Sequence, residues 1–257
     1  MIRLWESAEQ YFKSRKQRSL LKYLDIEAAS LRSAGLNLIS VMRWDALPAE
    51  IRTKIDSSNL SHHPRSLILI GHGGKKLWSA IPEDQFKRTD PIDNFSTEQS
   101  RLFADKLLGR DRYQVLFPGP VTVPLQRLGR YAGWHHDSPL GIGINGQWGL
   151  WFAYRAVLIT DIELPKTAHA EGPNPCHSCQ TRPCTTSCPA SAISVETGLD
   201  LNKCTTFRLQ AASVCARNCL ARLACPIAPE HRYSPRQMEY HYSKSLETLQ
   251  RFYGKND

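Results

Sequence analysis

No run of apolar residues in this 257-residue chain approaches the roughly 18 that a membrane-crossing helix needs, and residues 1–175 contain no cysteine. The first absence excludes a helical membrane span. The second confines any thiol chemistry to the last third. The opening stretch MIRLWESAEQYFKSRKQR has no apolar core of about 7–15 residues such as a secretory signal carries. The chain is therefore expected in the cytoplasm, where thiols stay reduced. The glycine-rich Gly71-His72-Gly73-Gly74 lacks the G-x4-G-K-S/T register of a phosphate loop, because neither Lys75 nor Lys76 is followed by Ser or Thr. It reads as a strand-ending turn that admits close backbone approach, with no nucleotide implied.

What the chain does have is eight cysteines between residues 176 and 225. The first set is Cys176-x2-Cys179-x4-Cys184-x3-Cys188-Pro189, and the second is Cys204-x10-Cys215-x3-Cys219-x5-Cys225-Pro226. A cubane of iron and sulfide needs four thiolates. Bacterial-type runs take three from one loop, and the cysteine before proline crosses to the other cluster. Two [4Fe-4S] clusters are expected on this pattern. Crossed ligation would assign Cys176, Cys179, Cys184 and Cys225 to one cluster, and Cys204, Cys215, Cys219 and Cys188 to the other. Two four-thiolate zinc sites are the alternative, since Cys176/Cys179 and Cys215/Cys219 resemble zinc knuckles. Disulfides would need an oxidising compartment. The doubled Cys-Pro ending favours iron–sulfur.

The net charge of +9 hints at a polyanionic partner. Residues 166–257 hold 11 Lys+Arg against 7 Asp+Glu, a net of +4, and the rest hold 22 against 17, a net of +5. Each oxidised cubane with its thiolates carries about −2, so two clusters would cancel the excess in the cysteine segment. The remaining charge does not call for nucleic acid. Lys13, Arg15, Lys16, Arg18 and Lys22 form a basic cluster that reads first as a solvated helix face, with docking to RNA or an acidic redox partner as the alternative.

Periodicity predicts a helix over 3–34, with Leu4, Ala8, Phe12, Leu20, Leu24 and Leu31 on its apolar positions and Gly35 as its stop. Strands are expected at 36–42, 66–70 and 113–117. Helices are expected at 48–55, from Thr89-Asp90-Pro91 to Leu108 with a capping residue before the proline, and at 124–132. Residues 141–145 and 151–160 read as a hairpin around a turn at Gly146–Gly149. The prolines of 165–175 suggest a boundary between a body, 1–165, and a cluster module, 166–257, that ends in a helix.

Between Ala132 and Arg155 stand Gly133, Gly141, Gly143, Gly146 and Gly149 beside Trp134, Trp148, Trp151 and Phe152. Glycines let a backbone be approached and aromatics offer flat area, which suits a planar cofactor, although a glycine-kinked hairpin with core aromatics has the same composition. The order LQRLGRYAGW, GIGINGQWGLWFAYRAVLITDIELP, the first cysteine set, LDLNKC and the second set resembles the epoxyqueuosine reductases, which are corrinoid iron–sulfur enzymes related to reductive dehalogenases. TDPIDN (89–94), GLWFAYR (149–155) and HRYSPRQ (231–237) are similar to the cobalamin-processing proteins of the CblC type.

These resemblances imply an α/β (α+β) fold: a nitroreductase-like corrinoid-binding body with a C-terminal bacterial-ferredoxin-like two-cluster module. They imply cobalamin against Ala132, Gly133, Gly141, Ile142, Gly143, Ile144, Trp148, Trp151 and Arg155. A low-potential ferredoxin or flavodoxin would be the electron donor, and a cobalamin-dependent enzyme a further partner. Arg155 and Arg232 match arginines placed around a thiol cosubstrate in CblC-type proteins; a structural salt bridge is the alternative for each. Two features depart from the epoxyqueuosine reductases. Their acidic proton donor aligns with Pro120, which cannot donate a proton, and the first cysteine set is longer here. No D-x-H-x2-G occurs, so the histidine loop that ligates cobalt in methyltransferase-type corrinoid proteins is missing. His135-His136 reads as a turn pair, with axial ligation as the alternative. Three functions follow: corrinoid reduction or processing, a tRNA reductase of the epoxyqueuosine type, and plain electron transfer.

Overall fold

The computed structural model describes residues 19–55, 63–167 and 172–253. They divide into two compact units, the first drawn from Met1–Ala132 and Ala153–His169, the second from Gly133–Phe152 and Ala170–Asp257.

In the first unit, helix α1 covers residues 19–33. Leu24, Ala28 and Leu31 recur at helical spacing and all three are buried. Gly35 ends the helix at φ +85°, and the Leu36 N–H donates back to the Leu31 carbonyl at 2.9 Å. A Cβ at Gly35 would stand 2.2 Å from the Leu77 backbone nitrogen, so the stop also requires glycine sterically. Leu4, Ala8 and Phe12 of the expected apolar face, and Lys13, Arg15, Lys16 and Arg18 of the basic cluster, lie outside the described residues.

A four-stranded sheet follows, built from β1 (Leu38–Arg43), β2 (Ser66–Gly73), β3 (Tyr113–Phe117) and β4 (Phe152–Thr160) in the order β1-β2-β4-β3. The β1/β2 pair is antiparallel with Leu38 opposite Gly71, and β3/β4 is antiparallel with a register shift between Val115 and Phe117. All eight residues of β2 are buried, as expected for a strand flanked on both edges. The strand outruns its apolar stretch: Gly71, His72 and Gly73 stay in the sheet, and the turn falls at Gly74, φ +76°. The close approach that glycine allows is made by the protein itself. The Asn37 side chain donates to the Gly73 carbonyl at 3.1 Å and accepts the Gly73 N–H at 2.8 Å, finishing the ladder one residue beyond β1.

The helices of this unit are α2 (Ala49–Arg52), α3 (Lys76–Ala80), α4 (Pro91–Leu108) and α5 (Leu125–Tyr131). The α2 helix is shorter than the expected 48–55. The expected Asp cap on α4 is not made: Asp90 has φ 47° and no side-chain capping bond. The Asn94 amide instead holds the Thr89 carbonyl at 2.7 Å.

The expected hairpin of 141–145 with 151–160 does not form. Both edges of β4 are taken, by β2 and β3. Residues 133–150 fold on themselves within the second unit, where His136 and Ile144 exchange two backbone bonds of 2.9 Å. The Asn145 carboxamide oxygen accepts the Gln147 and Trp148 N–H groups at 2.8 and 3.1 Å, tying a tight side-chain turn. Gly141 at φ +71° and Gly149 at φ +57° interrupt the extended run.

The second unit continues through α6 (Pro175–Ser178), α7 (Pro183–Thr186), the small antiparallel pair β5 (Ile193–Ser194) and β6 (Gly198–Leu199), α8 (Leu201–Leu209), α9 (Leu220–Leu223) and α10 (Pro235–Tyr253). Its core packs Leu140, Ile144, Leu150, Ile193, Ala221 and Cys225 against Cys176, Cys184, Cys188 and Cys219. A second cluster joins Trp151, Tyr233 and Met238. The 165–175 segment includes residues outside the described set.

Asn37→Ala leaves the Gly73 N–H and carbonyl unpaired in a buried strand, and should cost about 1–3 kcal/mol. Denaturant unfolding with an unchanged m-value checks this.

Candidate functional site

The cysteines sit on short proline-led turns. Pro175 and Pro183 occupy the first turns of α6 and α7, where a missing N–H costs nothing, and Cys176 and Cys184 follow them directly. The Asn174 side chain accepts the Cys176 N–H at 3.0 Å and donates to the Asp137 carbonyl at 2.9 Å, which fixes α6 to the 133–152 segment. Cys204 lies on α8, started by Asp200 accepting the Lys203 N–H. Cys219 caps α9, its Sγ accepting the Arg222 N–H at 3.4 Å. Cys188 Sγ similarly accepts the Ala192 N–H at 3.5 Å.

All eight cysteines are free. Electrostatic influence between them divides them into two groups. Burial pushes the Cys176 thiol up to about 11, with further upward pushes from Cys225, Cys184 and Cys179. Burial raises Cys184 as well, followed by Cys225 and Cys179. Cys225 is raised by burial and by Cys179. In the other group, burial raises Cys204, Arg208 opposes it, and Cys219, Cys188 and Cys215 add to the rise. Cys215 is raised by burial, with smaller pushes from Cys219 and Cys188. Each group thus has three thiols from one stretch and one from the other: Cys225 stands with 176, 179 and 184, and Cys188 with 204, 215 and 219.

The first group lines a cavity of about 360 Å³ with Leu140, Ile144 and Pro226 among its walls. Among the described residues, no three His, Cys, Asp or Glu side chains converge so closely that one metal ion would bridge them.

The residues named for a corrinoid are split between the units. Ala132 and Arg155 belong to the first, while Gly133, Gly141, Ile142, Gly143, Ile144, Trp148 and Trp151 belong to the second. Gly141 and Ile142 are exposed. Gly143 is covered by the protein's own imidazole: a Cβ there would lie 2.5 Å from His135 Nδ1. His135 is buried, with Nε2 3.6 Å from the Asp137 carboxylate. Ile144 and Trp151 are core residues, at 1% and 0% exposure. The Trp148 ring packs tilted against His231, with centroids 4.4 Å apart. In the first unit Arg155 bonds His72 Nδ1 at 3.0 Å and faces Asp93 at 3.5 Å. Arg232 donates to the Cys225 carbonyl at 3.0 Å.

Three residues that motif reading passed over adjoin the second thiol group. Arg208 is buried on α8 beside Cys204. Arg222 lies over the Trp151 and Tyr233 rings, at 4.5 and 5.1 Å. Burial lifts the Tyr242 phenol to about 12, with Cys219 the next cause. The signal for Arg208 was its place four residues after Cys204, one helical turn away.

Solved structures share this arrangement of elements. An epoxyqueuosine reductase superposes with a TM-score of 0.53 at 15% identity, over 88% of this chain and 69% of that one. The Bacillus subtilis epoxyqueuosine reductase gives 0.53 at 14%, over 86% and 68%. The Caenorhabditis elegans B12-trafficking protein CblC gives 0.53 at 14%, over 93% and 99%. This chain has their fold. No protein-family model and no curated protein matches the sequence. Among the described residues, no helix is long and apolar enough to cross a membrane.

Within this CblC-like fold the Gly143–His135 contact is a local test of packing. Gly143→Ala drives a methyl into a ring whose side chain is 3% exposed. It should destabilise the protein by about 1–3 kcal/mol, read as a lowered Tm.

Proposed function

We propose that the chain is a corrinoid-linked iron–sulfur reductase, in which Cys176, Cys179, Cys184 and Cys225 hold one [4Fe-4S] cluster and Cys188, Cys204, Cys215 and Cys219 hold the second. The observation that carries the reading is the sorting of eight thiols into two foursomes, each with one member from the other's stretch. Four thiolates of a cubane attach to four different irons, so they stand around a space rather than meeting at a point. A cavity walled by four sulfurs fits that demand better than a zinc site, where all four would bond one ion.

When bound, such clusters would relay single electrons from a ferredoxin or flavodoxin to the cobalt of a cobalamin. The chain's own residues hold the sulfurs ready for this. Backbone N–H groups of Ala192 and Arg222 donate to the sulfurs of Cys188 and Cys219 and hold them in place. The half-buried Cys176 thiol, raised to about 11, keeps its proton at neutral pH until a cluster displaces it. Support for a corrinoid comes from the fold shared with CblC, a B12-trafficking protein, and from the open backbone at Gly141 and Ile142. Gly133 and Trp148, both partly exposed, complete the proposed contact set, while Gly143, Ile144 and Trp151 lie beneath the protein's own side chains and support it from the core. In functional terms we assign residues 1–165 to the corrinoid body and 166–257 to the cluster module, with Gly133–Phe152 packed on the latter.

Anaerobically reconstituted protein should carry about eight irons per chain. Cys188→Ala should damage the cluster of the 204/215/219 foursome, and Cys225→Ala that of 176/179/184, each leaving about four irons. Iron assay with EPR of the remaining cluster decides; damage confined to each cysteine's own stretch overturns the crossing. Cob(III)alamin mixed with the holoprotein and a low-potential reductant should co-elute on gel filtration and show the cob(I)alamin spectrum. Elution free of corrinoid leaves plain electron transfer as the function.

A further inference from the structure

Arg208 is a buried cation whose hydrogen-bond partners are all neutral. It is 8% exposed. Its Nε donates to the Cys215 carbonyl at 3.2 Å, Nη1 to Ser245 Oγ at 2.9 Å, and Nη2 to the carbonyls of Tyr242 and Ala216 at 3.0 and 3.4 Å. Its guanidinium carbon lies 5.2 Å from the Tyr242 ring centroid. Among the described residues no carboxylate pairs with it. A guanidinium stays charged at every pH at which proteins fold, and a buried charge without a counter-charge is strongly disfavoured.

The missing anion is close by. Cys204 lies one turn back on α8, and the Arg208 Nε donates to the backbone carbonyl of Cys215, so two members of the second foursome border the guanidinium. The first foursome has a different setting: Arg232 donates to the Cys225 carbonyl at 3.0 Å but is partly exposed, where water screens its charge.

We infer that Arg208 is the built-in counter-charge of the second thiolate foursome, favouring its loading with an anionic cluster and raising that cluster's reduction potential. The inference rests on the reading that this foursome holds a [4Fe-4S] cluster. Reduction adds one negative charge to a site that is already negative, so a fixed neighbouring cation stabilises the reduced form more than the oxidised one. Arg208 thereby makes the second cluster a better electron acceptor than the same cluster without that charge. It acts on the cluster's surroundings and needs no contact with a substrate. A purely structural role is the competing account, because the same guanidinium fork ties three carbonyls from two segments.

Charge and fork can be separated by substitution. Arg208→Gln removes the charge and keeps part of the hydrogen bonding; Arg208→Lys keeps the charge and loses the fork. All three proteins, wild type included, are reconstituted without air, assayed for iron, and titrated electrochemically with EPR detection. With full iron, R208Q should lower one of the two midpoints by a tenfold change in the one-electron equilibrium or more, about 59 mV. The other midpoint should hold, and R208K should stay near wild type. Loss of one cluster in R208Q but not in R208K also supports the assignment. Two unmoved midpoints in R208Q overturn it, as does R208K behaving like R208Q in either potential or iron content. Wild-type protein that takes up no iron removes the cluster reading itself, a result distinct from all of these.

Discussion

Each stretch of cysteines lends one member to the other's foursome, and this exchange is the constraint on which the second unit depends. Cys188 ends the first stretch beside Cys204, Cys215 and Cys219, while Cys225 ends the second beside Cys176, Cys179 and Cys184. The two stretches cannot be drawn apart without separating both groups. Buried apolar side chains reinforce the same closure: Leu140, Ile144 and Leu150 come from the 133–152 segment and pack on Ala221 and Cys225. Sulfur and hydrocarbon therefore share one core.

That shared core explains why residues far from the cysteines in sequence belong with them in space. Asn174 joins α6 to Asp137, and Arg222 donates to the Leu150 carbonyl at 2.6 Å. Gly149 at φ +57° brings its Cα against the Ile227 carbonyl, where a Cβ would stand at 2.3 Å. The glycines and aromatics of 133–152, which on composition suited a planar ligand, are in large part occupied by the protein's own groups. His135 covers Gly143, Ile227 covers Gly149, and Tyr233 covers Trp151. Backbone stays open at Gly141 and Ile142 and at Gly146 and Gln147.

Much of the first unit was legible from period and punctuation. Leu24 and Leu31 announced a helix, Gly35 its end, and 66–70 a buried strand. The readings that missed share a physical cause, since a residue's partner lay far off in sequence. Gly71 and Gly73 looked like a turn because nothing local shows that Leu38 would pair with the first and the Asn37 side chain with the second. Residues 141–145 looked like a strand because nothing local shows that β2 and β3 would take both edges of β4. In the site, spacing could place thiols in two sets, but the buried neutral-bonded Arg208 emerges only once Ser245, Tyr242 and Ala216 are seen to surround it.

The prolines that lead α6 and α7 bear on how such a protein matures. With Pro175 and Pro183 restricting the backbone immediately ahead of Cys176 and Cys184, these two sulfurs would have fewer orientations to lose on binding the proposed cluster. The first foursome would thus offer that cluster a socket half-shaped by its own chain.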